Sequence, residues 1–520
     1  MSTTPSARRV PELVDFAQER IRNLHFTWIA FFISFYMWFN MAPLATTMLK
    51  EEGGPGGWLT PEHLKLLAIC NVALTIPARI LVGALIDRYG PRRCFAGLLI
   101  VTAIPVILFA MGTSFMQLLI ARLLISTTGA SFVIGIRMVA QWFPPKTVGR
   151  AEGFYAGWGN FGSAWAAMTL PWVALELFGG GHDGWRYALG VNGLVAMGYG
   201  VAYLFLVRDM PDGKPFVGIK KTQPMLLSSR FDVGQYLIWS FPLVAAMGVL
   251  AWRAASVPLA AGSDERVLSP TMLWVVWGVL GVIFACHVLK TLQVNRPHLA
   301  AGVPDDLRVH FPSVAALNTT YFANFGAELA VVSMLPAFFE KTFSVTPTVA
   351  GLVASSFAFV NLFARPLGGL ISDHVTSRKW TMVAYMVGIA LGFGGMAFIT
   401  GAWPMWLAVA LTVACSVFVQ GAEGATFAIL PMINRRMTGQ IAGMAGAYGN
   451  VGAVIYLVVF TLVEAQTFFG LLALGAAASV VACAVWLREP EGSHADEPPD
   501  SPGAGSSADS ATRVVVGAAS

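Results

Sequence analysis

The hydropathy pattern of the chain is a regular alternation of long apolar runs and short polar or basic connections. A helix needs about 20 mostly apolar residues to cross a hydrocarbon core of about 30 Å, and several runs reach that length. Strands of a transmembrane barrel would instead alternate apolar and polar positions over about 10 residues. The pattern therefore predicts fourteen transmembrane helices, at roughly 27–48, 63–86, 94–112, 115–143, 150–177, 185–207, 234–258, 271–293, 312–340, 347–372, 380–400, 404–432, 440–465 and 467–487.

The amino-acid composition also indicates an integral membrane protein. Of the 520 residues, 56% are hydrophobic and 12% are charged, whereas a soluble domain carries about 25% charged residues. The net charge of +5 fits basic loops at a membrane and requires no nucleic acid as a partner. The five cysteines have neither the spacing of a metal site nor that of a disulfide framework. We expect an all-α membrane protein with no cofactor and no metal.

Basic residues mark one side of the membrane. They precede the first apolar run and follow the second, fourth, sixth, eighth, tenth and twelfth, whereas the loops at 113–115 and 401–404 have none. Because cytoplasmic loops are enriched in Lys and Arg, this alternation predicts a multi-pass protein of the cell inner membrane with both termini in the cytoplasm. The stretch after residue 487 is rich in Pro, Ser, Gly and Ala, which is typical of a disordered tail.

An internal repeat divides the chain into two halves. The stretches "GRAEGFYAGWGNFG" (149–162) and "GQIAGMAGAYGNVG" (439–452) share four glycine positions and one Asn position, 290 residues apart. In "PARILVGALIDRYGPRR" (77–93) and "FARPLGGLISDHVTSRK" (363–379), an Arg is followed eight residues later by an Asp. We therefore predict an N-terminal cytoplasmic segment, a six-helix bundle, a linker with two extra helices, a second six-helix bundle and a tail, at 1–25, 26–208, 209–308, 309–487 and 488–520.

The repeated arginines carry the functional argument. Eight residues are about 12 Å of helix, so an Asp at the cytoplasmic edge puts Arg79 and Arg365 near mid-membrane. An Arg there costs about 2.5–3.5 kcal/mol, and a duplicated bundle with a midplane site is a transporter design. One interpretation is that both arginines bind one planar anion, which the guanidinium fork suits. The alternative is that each pairs with backbone carbonyls or with a buried acid, for which Glu328, Glu423 and Glu152 are the candidates.

The glycine segments indicate close helix packing around this level. Glycines at four- to six-residue steps let helices approach and slide, and Gly159 and Gly449 would also leave room beside a substrate. Asn160 and Asn450 directly follow these glycines and are uncharged donors for an anion. The alternative interpretation is packing alone, with each Asn satisfying backbone groups.

Several of these stretches resemble a known family. "GALIDRYGPRR" (83–93) is similar to a loop signature of the major facilitator superfamily, and 142–162 and 438–453 resemble the paired signature segments of its nitrate/nitrite porter family. "YFANFGAELAVVSMLPAFF" (321–339) and "QGAEGATFAILP" (420–431) also resemble bacterial nitrate transporters. The resemblance covers about 26–487 without the insertion. It implies a major facilitator fold, to which this chain adds two helices that we expect to be peripheral.

The resemblance also implies a substrate site. In that family one nitrate or nitrite anion binds between the halves, where arginines matching Arg79 and Arg365 clamp it and aromatic rings enclose it. The matching aromatic positions in this chain are Phe132, Tyr321, Phe325 and, in the first span, Phe39. Asn160 resembles the substrate-contacting Asn of the family, and Asn450 holds the equivalent place in the second segment. We therefore expect a monomeric transporter that imports nitrate, and also nitrite, and that is not an enzyme.

Two driving mechanisms fit this expectation. Moving an anion into a negative interior costs about 2.3 kcal/mol per 100 mV, so uptake against the potential needs at least two protons per nitrate. Exchange of nitrate for nitrite is electroneutral and needs no titratable group. We favour proton coupling, with Glu328 and Glu423 as the candidates, although each also fits a structural acid that is hydrogen-bonded to a neighbouring helix or paired with an Arg such as Arg122 or Arg137. Nitrate/nitrite exchange and transport of another small anion are the alternatives.

Overall fold

The computed structural model describes residues 15–53, 57–143, 145–211, 216, 225–303, 308–375, 377–434 and 438–489. Within these ranges the chain forms nineteen α-helices, which make up fourteen long segments because five of the segments are broken. The helices are α1 (Glu19–Trp38), α2 (Ala45–Glu52), α3 (Pro61–Ala73), α4 (Thr75–Tyr89), α5 (Pro91–Ala110), α6 (Phe115–Ile125), α7 (Ser131–Trp142), α8 (Pro145–Trp172), α9 (Gly181–Leu206), α10 (Arg230–Ser256), α11 (Pro270–Ala301), α12 (Phe311–Ala323), α13 (Phe325–Phe343), α14 (Pro347–Phe359), α15 (Asn361–His374), α16 (Arg378–Met396), α17 (Met405–Ile433), α18 (Thr438–Leu462) and α19 (Ala465–Trp486).

The fourteen segments correspond one by one to the fourteen predicted spans. Over the described residues, twelve of them are long and apolar enough to cross a membrane. The other two are α8 and α16. The glycine-rich α8 carries Arg150 and Glu152 near its start, and α16 begins with Arg378 and Lys379. The predicted all-α architecture of two six-helix halves (α1–α9 and α12–α19) with two added helices is confirmed. Most of the predicted tail and most of the N-terminal segment fall outside the described residues.

The glycine repeat packs the same pair of helices in each half. In the first half a Cβ on Gly162 would lie 2.1 Å from the carbonyl oxygen of Phe32, and in the second a Cβ on Gly452 would lie 2.4 Å from that of Phe322. Both residues of the second pair are 290 positions after those of the first. Only glycine permits such an approach, so the repeated glycines hold α8 against α1 and α18 against α12.

The helices that carry the repeated arginines are both broken. Leu74 separates α3 from α4, and Val360 separates α14 from α15; each lies five residues before its arginine. In the first half Pro77 contributes to the break, because it lacks the N–H that would bond the carbonyl of Ala73. The Thr75 hydroxyl also donates to the carbonyl of Ser126, in the 3₁₀ segment Ser126–Ala130 that separates α6 from α7. The hydropathy pattern did not predict these breaks.

The two added helices differ in their surroundings. Helix α11 packs on α10 and otherwise exposes its apolar side chains, whereas α10 packs on α3 of the first half and on α18 of the second. The buried Arg253 at the end of α10 forms an ion pair with Glu62 of α3, and its Nε donates to Thr461 of α18 at 2.9 Å. The prediction that the insertion is peripheral is therefore correct for α11 and wrong for α10.

The two ends of the bundle can be told apart by the chain. We call the end where α1 begins and α19 ends the terminal end, and the opposite one the far end. At the far end Glu340 of the second half contacts two residues of α2: it accepts a hydrogen bond from Thr46 and pairs with Lys50 at 3.3 Å. The halves therefore touch at the far end through polar contacts.

Candidate functional site

The two repeated arginines meet at the same pair of aromatic rings. The guanidinium carbon of Arg79 lies 5.5 Å from the ring centroids of both Phe132 and Phe325, and that of Arg365 lies 5.8 Å from both. Phe132 belongs to the first half and Phe325 to the second. Both arginines are buried, with 4% and 3% of their surface exposed. The structure thus brings together two cations and two rings, one of each from each half, at cation–π distances.

Arg79 is held by backbone carbonyls. Its Nε donates to the carbonyl of Gly129 at 3.3 Å, and its Nη1 donates to that of Gly446 at 2.5 Å. Gly129 lies in the 3₁₀ segment of the first half, whereas Gly446 belongs to α18 of the second. A Cβ on Gly446 would lie 3.0 Å from Nη1, so glycine permits this contact. The buried Nη2 has no hydrogen-bond partner among the described residues and remains available as a charged donor.

Arg365 has an acidic partner. Its Nη2 lies 2.8 Å from Oε2 of Glu423 and donates to the hydroxyl of Tyr321 at 3.0 Å, while its buried Nη1 has no hydrogen-bond partner in the described part of the chain. Glu423 is fully buried, yet neither of its oxygens accepts a well-directed hydrogen bond there. Pairing with a buried acid, the alternative considered from the sequence, therefore applies to Arg365, and pairing with carbonyls applies to Arg79. Each pairing leaves one Nη nitrogen unused.

Glu423 also has an acidic neighbour. The carboxyl group of Glu328 lies within hydrogen-bonding reach of it, and Oε1 of Glu328 accepts from the side-chain amide of Asn361 at 2.7 Å. Neighbouring buried carboxyl groups can share one proton. Arg122 is not their counter-ion, because it donates to Asn40 and to the carbonyl of Trp38. Arg137 is exposed, so the pairing with Arg122 or Arg137 considered above is wrong.

Aromatic rings surround the two guanidinium groups. Tyr321, in the last turn of α12, stacks on Phe325 at the start of α13, with 4.9 Å between ring centroids. The ring of Phe427 lies 5.3 Å from both Phe132 and Tyr321. A Cβ on Gly449 would lie 2.5 Å from Cδ1 of Phe325, so glycine is required where α18 passes these rings. Three predicted aromatic positions and Gly449 are thus in one cluster.

The two asparagines of the repeat are placed differently. The Nδ2 of Asn450 donates to the Gly446 carbonyl at 3.2 Å, which is the carbonyl that also accepts from Arg79. Asn160 is fully buried, and neither its Nδ2 nor its Oδ1 has a hydrogen-bond partner among the described residues. A buried amide without partners is costly, and such a group is typical of a site that binds a ligand or water.

One aromatic residue predicted for the site lies away from the cluster, and other aromatic residues of the cluster were not predicted. Phe39 packs against Phe35 and Trp38, whereas the guanidinium groups lie over Phe132 and Phe325. A Cβ on Gly159 would lie 1.9 Å from the ring of Phe31. Subtracting the repeat offset of 290 from Tyr321 and Phe325 gives Phe31 and Phe35, so the offset itself indicates these two residues. Phe427 follows Glu423 by four residues and so shares its helix face.

The side chains of Asp87 and Asp373, from which the depth of the arginines was estimated, fall outside the described residues. The arrangement itself has a clear chemical capacity. Two guanidinium groups lie beside the same two rings, and each has one Nη nitrogen without a partner among the described residues. Planar guanidinium groups bind planar oxyanions through paired N–H donors. Low polarity around them strengthens such contacts. The site is therefore suited to one small monovalent anion.

Comparison with known proteins agrees with this architecture. The family model "Major Facilitator Superfamily" matches residues 27–296 and 317–517. The chain is 45% identical to "Nitrate/nitrite transporter NrtP" of Nostoc punctiforme, over 92% of this chain and 94% of the relative, and equally identical, with the same coverage, to the protein of that name in a Picosynechococcus species. It is 27% identical to "High-affinity nitrate transporter 2.3" of Oryza sativa, over 86% of this chain and 73% of that one.

Solved structures resemble the fold. The chain superposes on the xylose transporter XylE of E. coli, in a partially occluded inward-open conformation, with a TM-score of 0.60 at 14% identity, covering 91% of this chain and 98% of the other. A D-xylose-proton symporter gives a TM-score of 0.58 at 15% identity, covering 91% and 99%. At this level of identity the likeness concerns the helix arrangement alone.

Proposed function

This chain belongs to the major facilitator superfamily and, within it, to the nitrate/nitrite porter family, and we propose from that membership that it imports nitrate, and also nitrite, by alternating access between its two halves. The family membership supports the substrate class, since relatives that share 45% of their residues along almost the whole chain carry the name nitrate/nitrite transporter. Sugar transporters of similar fold show that the fold alone does not specify the substrate.

One observation carries the assignment of the site. Arg79 and Arg365, from opposite halves, lie over the same two aromatic rings, and each keeps one Nη nitrogen without a partner in the described chain. In our proposal these two nitrogens bind the anion, and the rings of Phe132 and Phe325 enclose it. Two cations that repel each other across the halves are drawn together by the negative charge between them. Anion binding therefore favours closure.

Asn160, Asn450 and Tyr321 complete the proposed site. The Asn160 amide, which is buried without partners, is an uncharged donor to the anion. Asn450 shares the Gly446 carbonyl with Arg79 and positions that cation. Gly159 and Gly449 admit the aromatic rings next to the helices. Phe39 stays in the proposed site on the resemblance alone, because it packs against Phe35 and Trp38.

We further propose that the protein lies in the cell inner membrane as a monomer, with both termini in the cytoplasm. The basic residues that recur on one side support this orientation. In this orientation the terminal end of the bundle is cytoplasmic. The polar contact of Lys50 with Glu340 then lies at the outer side of the membrane.

Proton coupling is the mechanism that we favour for uptake. Glu328 and Glu423 are buried and lie close together, and Glu423 forms an ion pair with Arg365. An electroneutral exchanger needs no acid at this position, whereas a symporter needs a carboxyl group linked to the substrate. Nitrate/nitrite exchange remains the alternative, and transport of another small anion the second.

Transport by purified protein in proteoliposomes tests the proposal. Labelled nitrate uptake is measured with an inward pH gradient and no internal anion, and again without a gradient but with internal nitrite. We expect the gradient to drive uptake. Uptake that requires internal nitrite and ignores the gradient would identify an exchanger. If neither condition moves nitrate or nitrite while another small anion is carried, the substrate assignment is wrong.

A further inference from the structure

Glu423 has few charged or titratable neighbours on the helices that pack against α17. From α15 it faces Arg365, from α13 Glu328, and from α12 Tyr321. From α16, Tyr385 approaches Gly421, two residues earlier on the same helix. The sequence of α14 contains no titratable residue, and in α18 Tyr448 donates to a carbonyl of α10 instead. Arg365 is therefore the cation that balances Glu423.

The same arginine is needed by the substrate. A guanidinium group presents donors in a planar fork, and Nη2 of Arg365 is taken by Glu423 and Tyr321 while Nη1 has no partner in the described chain. The unpartnered Nη1 can hold an anion by one oxygen, but a planar oxyanion that binds the fork with two oxygens also needs Nη2. The carboxylate of Glu423 is itself a planar, two-oxygen, monovalent group. It therefore occupies the position that a nitrate of similar shape and charge would take.

From this competition, and resting on the proposed function, we infer that Glu423 is a built-in counter-anion of Arg365 that an incoming nitrate displaces, and that the displaced carboxyl group then holds one proton together with Glu328. In our proposal both acids are ionised before an anion binds, so that two arginines and two carboxylates give the empty site no net charge. A bound anion adds one negative charge, which one proton taken from solution cancels. Charge left uncompensated in a buried site is expensive, so the proton accompanies the anion.

This linkage specifies the stoichiometry at the site. One proton moves with each anion, so the loaded and unloaded sites carry the same net charge. Transport through the site is then driven by the pH gradient and not by the membrane potential. That differs from the two-proton scheme expected from the sequence, in which the potential also drives uptake.

Proton uptake on nitrate binding tests the inference directly. The purified full-length protein is held in detergent at neutral pH with weak buffer and a pH indicator, and nitrate is added. We expect the wild type to take up about one proton per nitrate bound. Glu423→Gln should take up none and, lacking the competing carboxylate, bind nitrate more tightly, on the order of tenfold.

Two further variants control the measurement. Glu423→Asp keeps the charge and is expected to retain proton uptake. Glu464→Gln changes an exposed acid that precedes the first residue of α19, at the far end, and should behave like the wild type. In proteoliposomes Glu423→Gln should still exchange nitrate for nitrate while losing its response to the pH gradient. Thermal unfolding of each variant confirms that it is folded.

Failure of the inference is distinguishable from failure of the proposed function. If Glu423→Gln takes up as many protons as the wild type, or binds nitrate more weakly, Glu423 is not a displaced counter-anion. Acceleration of wild-type uptake by an inside-negative potential set with potassium and valinomycin would overturn the one-proton stoichiometry. If the wild type binds neither nitrate nor nitrite, the proposed function itself is wrong.

Discussion

The two arginines of the repeat have equivalent positions but different partners. In the first half the segment opposite Arg79 is split by the 3₁₀ turn Ser126–Ala130, and a carbonyl of that turn binds the arginine. In the second half the corresponding helix α17 runs unbroken from Met405 to Ile433 and brings a carboxylate to Arg365. One half thus presents an arginine held by neutral carbonyl groups, and the other an arginine paired with a buried carboxylate. The repeat therefore keeps the arginine in both halves but adds a buried carboxylate beside it in the second half only.

The largest expected difference concerns stability. Arg365→Gln leaves two buried acids without a cation and should lower the free energy of unfolding by about 3–5 kcal/mol. Arg79→Gln loses two carbonyl contacts but relieves repulsion between the arginines, so we expect a loss of about 1 kcal/mol. Chemical unfolding in detergent measures both. The double variant Arg365→Gln with Glu423→Gln should recover most of the loss, and equal losses for the two single variants would refute the comparison.

Arg79→Lys should abolish most of the transport while leaving the fold intact. A lysine has one nitrogen, which cannot take the separate positions from which Nε and Nη1 of Arg79 reach the carbonyls of Gly129 and Gly446 and from which Nη2 would reach the anion. We expect kcat/KM for nitrate uptake to fall about 100-fold, which corresponds to about 2.7 kcal/mol. Arg266→Lys, on the exposed hairpin between α10 and α11, is the matched control. Activity within a factor of two of the wild type for Arg79→Lys would remove Arg79 from the site.

Gly449→Ala tests whether the rings of the second half depend on the glycine segment. The new Cβ would meet Phe325 and Tyr321 at under 3 Å, so we expect the variant to lose about 2 kcal/mol of stability and to bind nitrate more weakly. Gly443→Ala, on the same helix, meets nothing within 4 Å and is the control. If Gly449→Ala is as stable as Gly443→Ala, the two rings can move aside at little cost and glycine is not required at position 449.

The smallest effects separate the two asparagines. Asn450→Ala removes the hydrogen bond to the Gly446 carbonyl and should lower the free energy of unfolding by about 1 kcal/mol. Asn160 has no partner to lose in the described chain, so Asn160→Ala should leave stability unchanged and instead raise the KM for nitrate several-fold. Unfolding curves and uptake kinetics on the same preparations make the comparison. A stability loss in Asn160→Ala would indicate a structural role.

Much of this architecture follows from the sequence. Hydropathy predicted the fourteen segments, and the repeat predicted that Arg79, Arg365 and the glycine segments belong together, because these features are local in the chain. The breaks at Leu74 and Val360 were not predicted, since one residue hardly changes a hydropathy average. They depend on where a proline and side chains of a neighbouring helix interrupt the backbone ladder.

The partner of Arg365 was not predictable in the same way. Glu423 was a candidate, but so were Glu328 and Glu152, and the choice depends on how α17 is rotated against α15. Periodicity gives the face of a helix and not its rotation against a particular neighbour. The position of Asn160, one residue after a glycine that packs on Phe31, depends equally on that packing.

Arg253 on the added helix α10 has a mechanical consequence. It holds Glu62 of one half and Thr461 of the other at the far end, and rocking motions that open this end must pull α3 away from α18. The Arg253 side chain cannot stay in contact with both helices when they separate. Its bond to the charged Glu62 is stronger than its bond to the Thr461 hydroxyl, so we expect the contact with Thr461 to break first. Spin labels on α10 and α18 that stay equidistant through a transport cycle would contradict this. We therefore expect the contacts of Arg253 to favour the arrangement in which the far end is closed.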